Sequence, residues 1–234
     1  MSSAILSSAY SGDKKSIARV ISLIENETDM DVQSPSHAVP VIGITGPPGA
    51  GKSTLVDALI GEYVREGKSI AVLCVDPSSV VHQGAILGDR IRMSQWFNHP
   101  NVFIRSLSSR GSMGGLHPFI HKIKCFLQQC PFDIILIETV GVGQSEIEII
   151  RHADKTVLVL VPEAGDEIQL MKSGIVEVAD LFVVNKTDRP GSNIFVTQLT
   201  NMLKSKTSPK KVCSTIATKA EGVAELKKMI DTLI

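Results

Sequence analysis

Gly46-Pro47-Pro48-Gly49-Ala50-Gly51-Lys52-Ser53-Thr54 matches G-x-x-x-x-G-K-[ST] and lies between the apolar run Val39-Pro40-Val41-Ile42-Gly43-Ile44 and a helix-competent stretch from Leu55 to Val64. Strand, loop and helix in that order form the context that a phosphate-binding loop requires. The glycines let the backbone curl until successive N–H groups point inward, and the helix N-terminus adds partial positive charge for phosphate oxygens. In such a loop Gly46, Gly49, Ala50, Gly51, Lys52, Ser53 and Thr54 surround the phosphates. Lys52 reaches the β- and γ-phosphates, and the Ser53 hydroxyl ligates Mg²⁺.

Outward from this loop, apolar strand-like runs alternate with helical patterns. Strands are expected near 39–45, 69–75, 102–105, 132–138, 155–161, 181–185 and 211–216. Runs such as Ile134-Ile135-Leu136-Ile137 have the character of strands covered on both faces, and the alternation points to a mostly parallel sheet between two helical layers. The expected fold is therefore α/β, a three-layer P-loop NTPase with a short N-terminal helical extension. That extension and its linker occupy 1–38 and the nucleotide domain 39–234. Residues 3–26 read as two short helices broken at Gly12-Asp13, with Asp13 as N-cap of the second. In the last helix Val223, Leu226, Ile230 and Leu233 share one face, the pattern of a packed element.

The base-reading element lies far down the chain. The strand Leu181-Phe182-Val183-Val184 runs into Asn185-Lys186-Thr187-Asp188, an N-K-x-D pattern. A carboxylate at Asp188 accepts from the N1–H and exocyclic amine of guanine, a donor pair that adenine lacks. A hydrogen-bonding site left unpaired by the wrong ligand discriminates strongly. GTP and GDP are thus the expected ligands. Ala217-Thr218-Lys219 supplies a loop that closes over the base through backbone N–H groups.

Ligands of such sheets gather at the carboxyl ends of the strands. There the expected strands lead into Asp76-Pro77-Ser78-Ser79 and Glu138-Thr139-Val140-Gly141. Glu138 is the first candidate to hold Mg²⁺, with Asp76 and Asp89 as further ligands, and the Gly141 N–H is placed to sense the γ-phosphate. Asp89 sits among glycines in the stretch from Gly84 to Met93. Gln144 stands three residues beyond Gly141, the wrong spacing for the water-orienting glutamine of small GTPases, so slow hydrolysis completed by a partner is expected. Ser109-Arg110-Gly111-Ser112-Met113-Gly114-Gly115 forms a second glycine-rich loop ahead of a helix expected at 117–129.

Lys plus Arg and Asp plus Glu balance at 24 each in 234 residues. The zero net charge makes no electrostatic case for nucleic acid or an anionic membrane. The longest apolar runs are of strand length, so neither a signal peptide nor a transmembrane helix is expected. Cys74, Cys125, Cys130 and Cys213 are scattered without C-x-x-C spacing, the usage of reduced thiols in the cytoplasm.

Taken in order, G-P-P-G-A-G-K-S-T, V-D-P-S-S, I-L-G-D-R-I-R-M, S-R-G-S-M-G-G, E-T-V-G-V-G-Q-S-E and V-N-K-T-D, with the N-terminal helix Ala18 to Glu25, resemble the MeaB/ArgK family of P-loop GTPases. The resemblance covers roughly residues 1–225. It implies a G-protein chaperone of an adenosylcobalamin-dependent acyl-CoA mutase, such as methylmalonyl-CoA mutase, that gates cofactor loading and helps replace damaged cofactor. Older descriptions of such proteins speak of lysine/arginine/ornithine transport-system kinases. It further implies a first switch from Asp76 to Met93 and a second from Glu138 to Glu146. A third runs from Gly165 to Lys172, with Lys172 coupling to the partner. Family members continue into a C-terminal helical arm that builds a homodimer; this sequence ends at Ile234, which puts that mode of dimerisation in question and leaves a nucleotide-dependent homodimer open. The alternatives from other classes are a nickel-type metallochaperone GTPase and a nucleotide-dependent kinase of an amino-acid transport system. Cys130-Pro131 runs into Phe132 and not into a histidine, and no kinase-type catalytic aspartate is recognisable.

Overall fold

The computed structural model describes residues 3–26, 32, 39–76, 93–108, 116–139, 148–162, 175–204 and 209–234. Seven strands form one sheet: β1 (Val41–Thr45), β2 (Ile70–Asp76), β3 (Val102–Ser108), β4 (Ile134–Glu138), β5 (Lys155–Leu160), β6 (Leu181–Asn185) and β7 (Lys211–Thr215). Their order is β3-β2-β4-β1-β5-β6-β7, and every described pairing is parallel. The helices are α1 (Ser3–Tyr10), α2 (Lys14–Glu25), α3 (Lys52–Arg65), α4 (Ile120–Leu127), α5 (Ile175–Val178), α6 (Ser192–Lys204) and α7 (Val223–Asp231).

The apolar runs sort into two faces, as a period of two demands. Ile42, Ile44, Val72, Leu136, Val157 and Val183 pack with α3 and α7. Val41, Ala71, Leu73, Ile135 and Ile137 pack with α1, α2 and α4. At the other end of that second face, Leu158, Leu160, Phe182 and Val184 pack with Phe195, Leu199 and Leu203 of α6. From β1 the chain moves outward to β2 and β3, then returns through β4 and crosses to β5, β6 and β7. The carboxyl end of β1 therefore stands at the switch point, where a doubly wound sheet opens its ligand crevice. Register brings the ends level: Ile44 pairs with Glu138 on one side and Val157 on the other.

The N-terminal helices belong to the same core. Ile17, Val20 and Ile21 are fully buried, and the Asp13 carboxylate caps α2 by accepting from the Ser16 N–H at 2.9 Å. That hydrogen bond holds the exposed Asp13 carboxyl below its ordinary range. α2 also clamps the sheet edge, where Arg105 of β3 ion-pairs with Glu25 and donates to Ser22 Oγ at 3.0 Å. β3 runs on to Ser108, beyond the run expected to end at 105, because its parallel ladder with β2 continues from Leu73–Arg105 to Asp76–Ser108. Arg105 breaks the hydrophobic pattern, and its charge is answered by α2 and not by solvent alone.

Replacing Ile21 with alanine should lower the unfolding free energy by about 2–5 kcal/mol, the cost of a large-to-small change at a fully buried site. Urea denaturation followed by circular dichroism checks it, and a loss below about 0.5 kcal/mol would detach α2 from the cooperative core.

Candidate nucleotide site

Between β1 and α3 the loop curls as its glycines permit. Gly46 has φ +140°, and a Cβ there would lie 2.1 Å from the Val159 carbonyl oxygen. Gly51 has φ +87°, and its Cβ would meet Asn185 Nδ2 at 2.5 Å. Both positions combine a left-handed backbone with backbone or side chain at closest approach, so only glycine fits. Lys52 opens α3, is buried, and turns its ammonium back across the loop, donating to the carbonyls of Gly46 at 2.7 Å and Pro47 at 3.0 Å. The cation is thus held in the concavity that the loop encloses.

Ser53, the next residue, donates from Oγ to Glu138 Oε1 at 2.6 Å, and both side chains are buried. Two of the oxygens expected around Mg²⁺ are thereby adjacent, one from the first turn of α3 and one from the end of β4. Hydroxyl and carboxylate are hard donors that suit this ion, which takes one or two protein oxygens and completes its shell with phosphate and water. Beneath them Thr139 Oγ1 donates to Thr45 Oγ1 at 2.9 Å, and Thr139 N–H donates to the Ile44 carbonyl at 3.1 Å. These bonds fix the exit of β4 against β1.

Asn185 ties the loop to the rest of the site. Its Nδ2 donates to the Ala50 carbonyl at 2.9 Å, and its Oδ1 accepts from Thr215 Oγ1 and from the Ala217 N–H, each at 3.1 Å. Next to it, Lys186 has φ +60° and sends Nζ to the Gly49 carbonyl at 2.7 Å. The turn that follows is closed by Arg189 N–H to the Lys186 carbonyl at 3.1 Å and by Ser192 Oγ to the Thr187 carbonyl at 2.7 Å. A cavity of about 180 Å³ opens here, lined by Gly51, Thr54, Lys186, Asp188, Arg189 and the Ile216-Ala217-Thr218 turn, with Asn185 at its base. Ala217, Thr218 and Lys219 form a single 3-10 turn, of which the first two line the cavity.

The phosphate loop, Ser53, Glu138, the Asn185-to-Asp188 turn and the Ala217 turn thus converge at one edge of the sheet. Asp76 ends β2 in register with Ser108. The Asp76 side chain, Asp89, Gly141, Gln144, Lys172 and 109–115 fall outside the described residues. Sequence reading missed Thr215 and Arg189. The first lay hidden in a strand pattern, and the second adjoined the N-K-x-D motif without belonging to it. All four cysteines are buried. Burial pushes the Cys130 thiol up to about 12, and burial reinforced by the charge of Glu225 does the same to Cys213. At neutral pH both are thiols and poor metal ligands. Among the described residues no helix is long and apolar enough to cross a membrane.

Residues 17–233 match the family model described as methylmalonyl Co-A mutase-associated GTPase MeaB. A Pyrococcus horikoshii protein provisionally named a GTPase is 44% identical over 232 residues, which cover 94% of this chain and 73% of that protein. A Cupriavidus metallidurans protein named fused isobutyryl-CoA mutase is 39% identical over 197 residues, 80% of this chain but 18% of that polypeptide. A solved structure described as an LAO/AO transport system kinase superposes with a TM-score of 0.74 over 98% of this chain and 73% of its own. At 24% identity that likeness speaks for the fold alone. With the family model spanning nearly its whole length and a relative at 44% identity, the chain belongs to the MeaB family of methylmalonyl-CoA-mutase-associated GTPases.

Proposed function

We propose that this GTPase is a chaperone that gates cofactor loading on, and protects, an adenosylcobalamin-dependent acyl-CoA mutase. The observation that carries the nucleotide part is the Asn185 tie, which sets the phosphate loop and the Asp188 pocket at one fixed separation. The guanine N1–H and amine donate to the Asp188 carboxylate, and the Ala217-Thr218-Lys219 turn closes over the base. The Lys52 ammonium exchanges its two loop carbonyls for β- and γ-phosphate oxygens. Ser53 and Glu138 hold Mg²⁺, aided by Asp76 and Asp89. When bound, the ion supplies charge neutralisation at the β- and γ-phosphates. The Gly141 N–H contacts the γ-phosphate.

The partner assignment rests on the family description and on the Cupriavidus relative, whose name is that of a CoA mutase and in which the stretch matching this chain is a small part. Gln144 stands at the wrong spacing to orient the attacking water, which favours a site completed by a bound protein. Buried, protonated thiols favour this reading over a nickel metallochaperone. They also suit the reducing cytoplasm, where we place the protein.

Asp188→Asn should weaken GTP binding roughly 10- to 100-fold and favour xanthine nucleotides, whose 2-oxo group replaces the amine. Titration with fluorescent nucleotides checks this, and equal wild-type affinity for ATP and GTP would sink the guanine assignment. For the partnership, the cognate mutase should raise the GTPase rate at least about 5-fold and, because binding coupling is reciprocal, change the affinity for a non-hydrolysable GTP analogue. No binding and no rate change with any cobalamin-dependent mutase of the same organism would remove the chaperone role.

A further inference from the structure

The N-K-x-D motif and the turn after it place two cations in the wall of the base pocket, Lys186 and Arg189. They are not equivalent. The Lys186 ammonium is committed to the phosphate loop through the Gly49 carbonyl, and its Cε lies 3.8 Å from where a Gly51 Cβ would stand. Arg189 lines the same cavity, next in sequence to Asp188, whose carboxylate is read here as the guanine acceptor. Its backbone has little freedom. The Arg189 N–H donates to the Lys186 carbonyl at 3.1 Å, the Arg189 carbonyl accepts from the Ser192 N–H at 3.3 Å, and Ser192 itself is buried.

A guanidinium is planar, weakly hydrated and permanently charged, and it stacks on aromatic faces where an ammonium acts only as a point charge. The base pocket holds the aromatic part of the ligand, whereas the phosphates are served by Lys52 and the loop N–H groups on the far side of Gly51. We infer that Arg189 is a further nucleotide-binding residue, laying its guanidinium plane on the face of the purine and thereby adding affinity for the base without selecting among bases. The inference rests on the guanine-pocket reading and assigns a separate task within it. Asp188 supplies discrimination through the edge of the base, and Arg189 supplies grip through the face.

The test measures dissociation constants of wild type, Arg189→Ala and Arg189→Lys for GTP, GDP and GMP. A contact to the base costs the same factor for all three ligands, while a contact to the phosphates costs more as phosphates are added. Arg189→Ala is expected to weaken each nucleotide by a similar factor, roughly 2- to 30-fold, the span of a cation–π contact. Arg189→Lys should recover little of that loss, because the charge returns without the plane. Unchanged affinities, a loss that grows with phosphate number, or full recovery with lysine would each overturn the inference. Asp188→Asn titrated with xanthosine and guanosine nucleotides runs alongside. A switch towards xanthine with no effect at Arg189 defeats this inference alone, whereas no switch defeats the pocket reading beneath it.

Discussion

The buried carboxamide of Asn185 is the constraint on which the site depends. One side chain at the end of β6 grips the phosphate loop through the Ala50 carbonyl and the base-side turn through the Ala217 N–H, with Thr215 Oγ1 steadying the same oxygen. Ala50, Thr215 and Ala217 are all buried, and hydrogen bonds between buried polar groups are costly to break, so the geometry is held by that cost as much as by the bonds themselves. Gly51 is the reciprocal condition, since a methyl group there would occupy the space of the Asn185 amide nitrogen. Lys186 adds a second strap to Gly49. Two loops that come from distant parts of the chain are thus tied directly to one another.

The sheet makes this tie possible. β1 sits between β4 and β5 at the switch point, so its loop is flanked on one side by the Glu138 carboxylate and reaches β6 across β5. Gly46 passes the Val159 carbonyl of β5 at a distance no side chain would allow. The Ser53 to Glu138 bond holds the first turn of α3 on one flank, and the Asn185 bond to Ala50 holds the phosphate loop just before it on the other. The N-terminal helices support the arrangement from beneath, since α2 packs on the face of the sheet opposite α3 and neutralises Arg105 at its edge.

Much of this was legible in the sequence for identifiable reasons. Parallel strands covered on both faces read as continuous apolar runs, so all seven stand where they were expected, with ends displaced by three residues or fewer. The phosphate loop declares itself because its glycines and lysine are local in sequence. The ties are different, because they depend on separation in the chain. Asn185 and Ala50 lie 135 residues apart, and Ser53 and Glu138 lie 85 apart. The residue types were suggestive, but no spacing rule relates them. Sequence reading accordingly assigned Asn185 to the nucleotide, whereas the fold turns both of its carboxamide atoms towards protein.

The most direct test of this account is the affinity of Asn185→Ala for GDP, measured by calorimetry alongside urea unfolding of the same variant. If the carboxamide holds the two halves of the receptor together, the variant stays folded, loses about 1–3 kcal/mol of stability, and binds GDP roughly 10- to 100-fold more weakly. A folded variant that binds GDP within about twofold of wild type would show that the two loops keep their spacing without Asn185, and the central claim would fall.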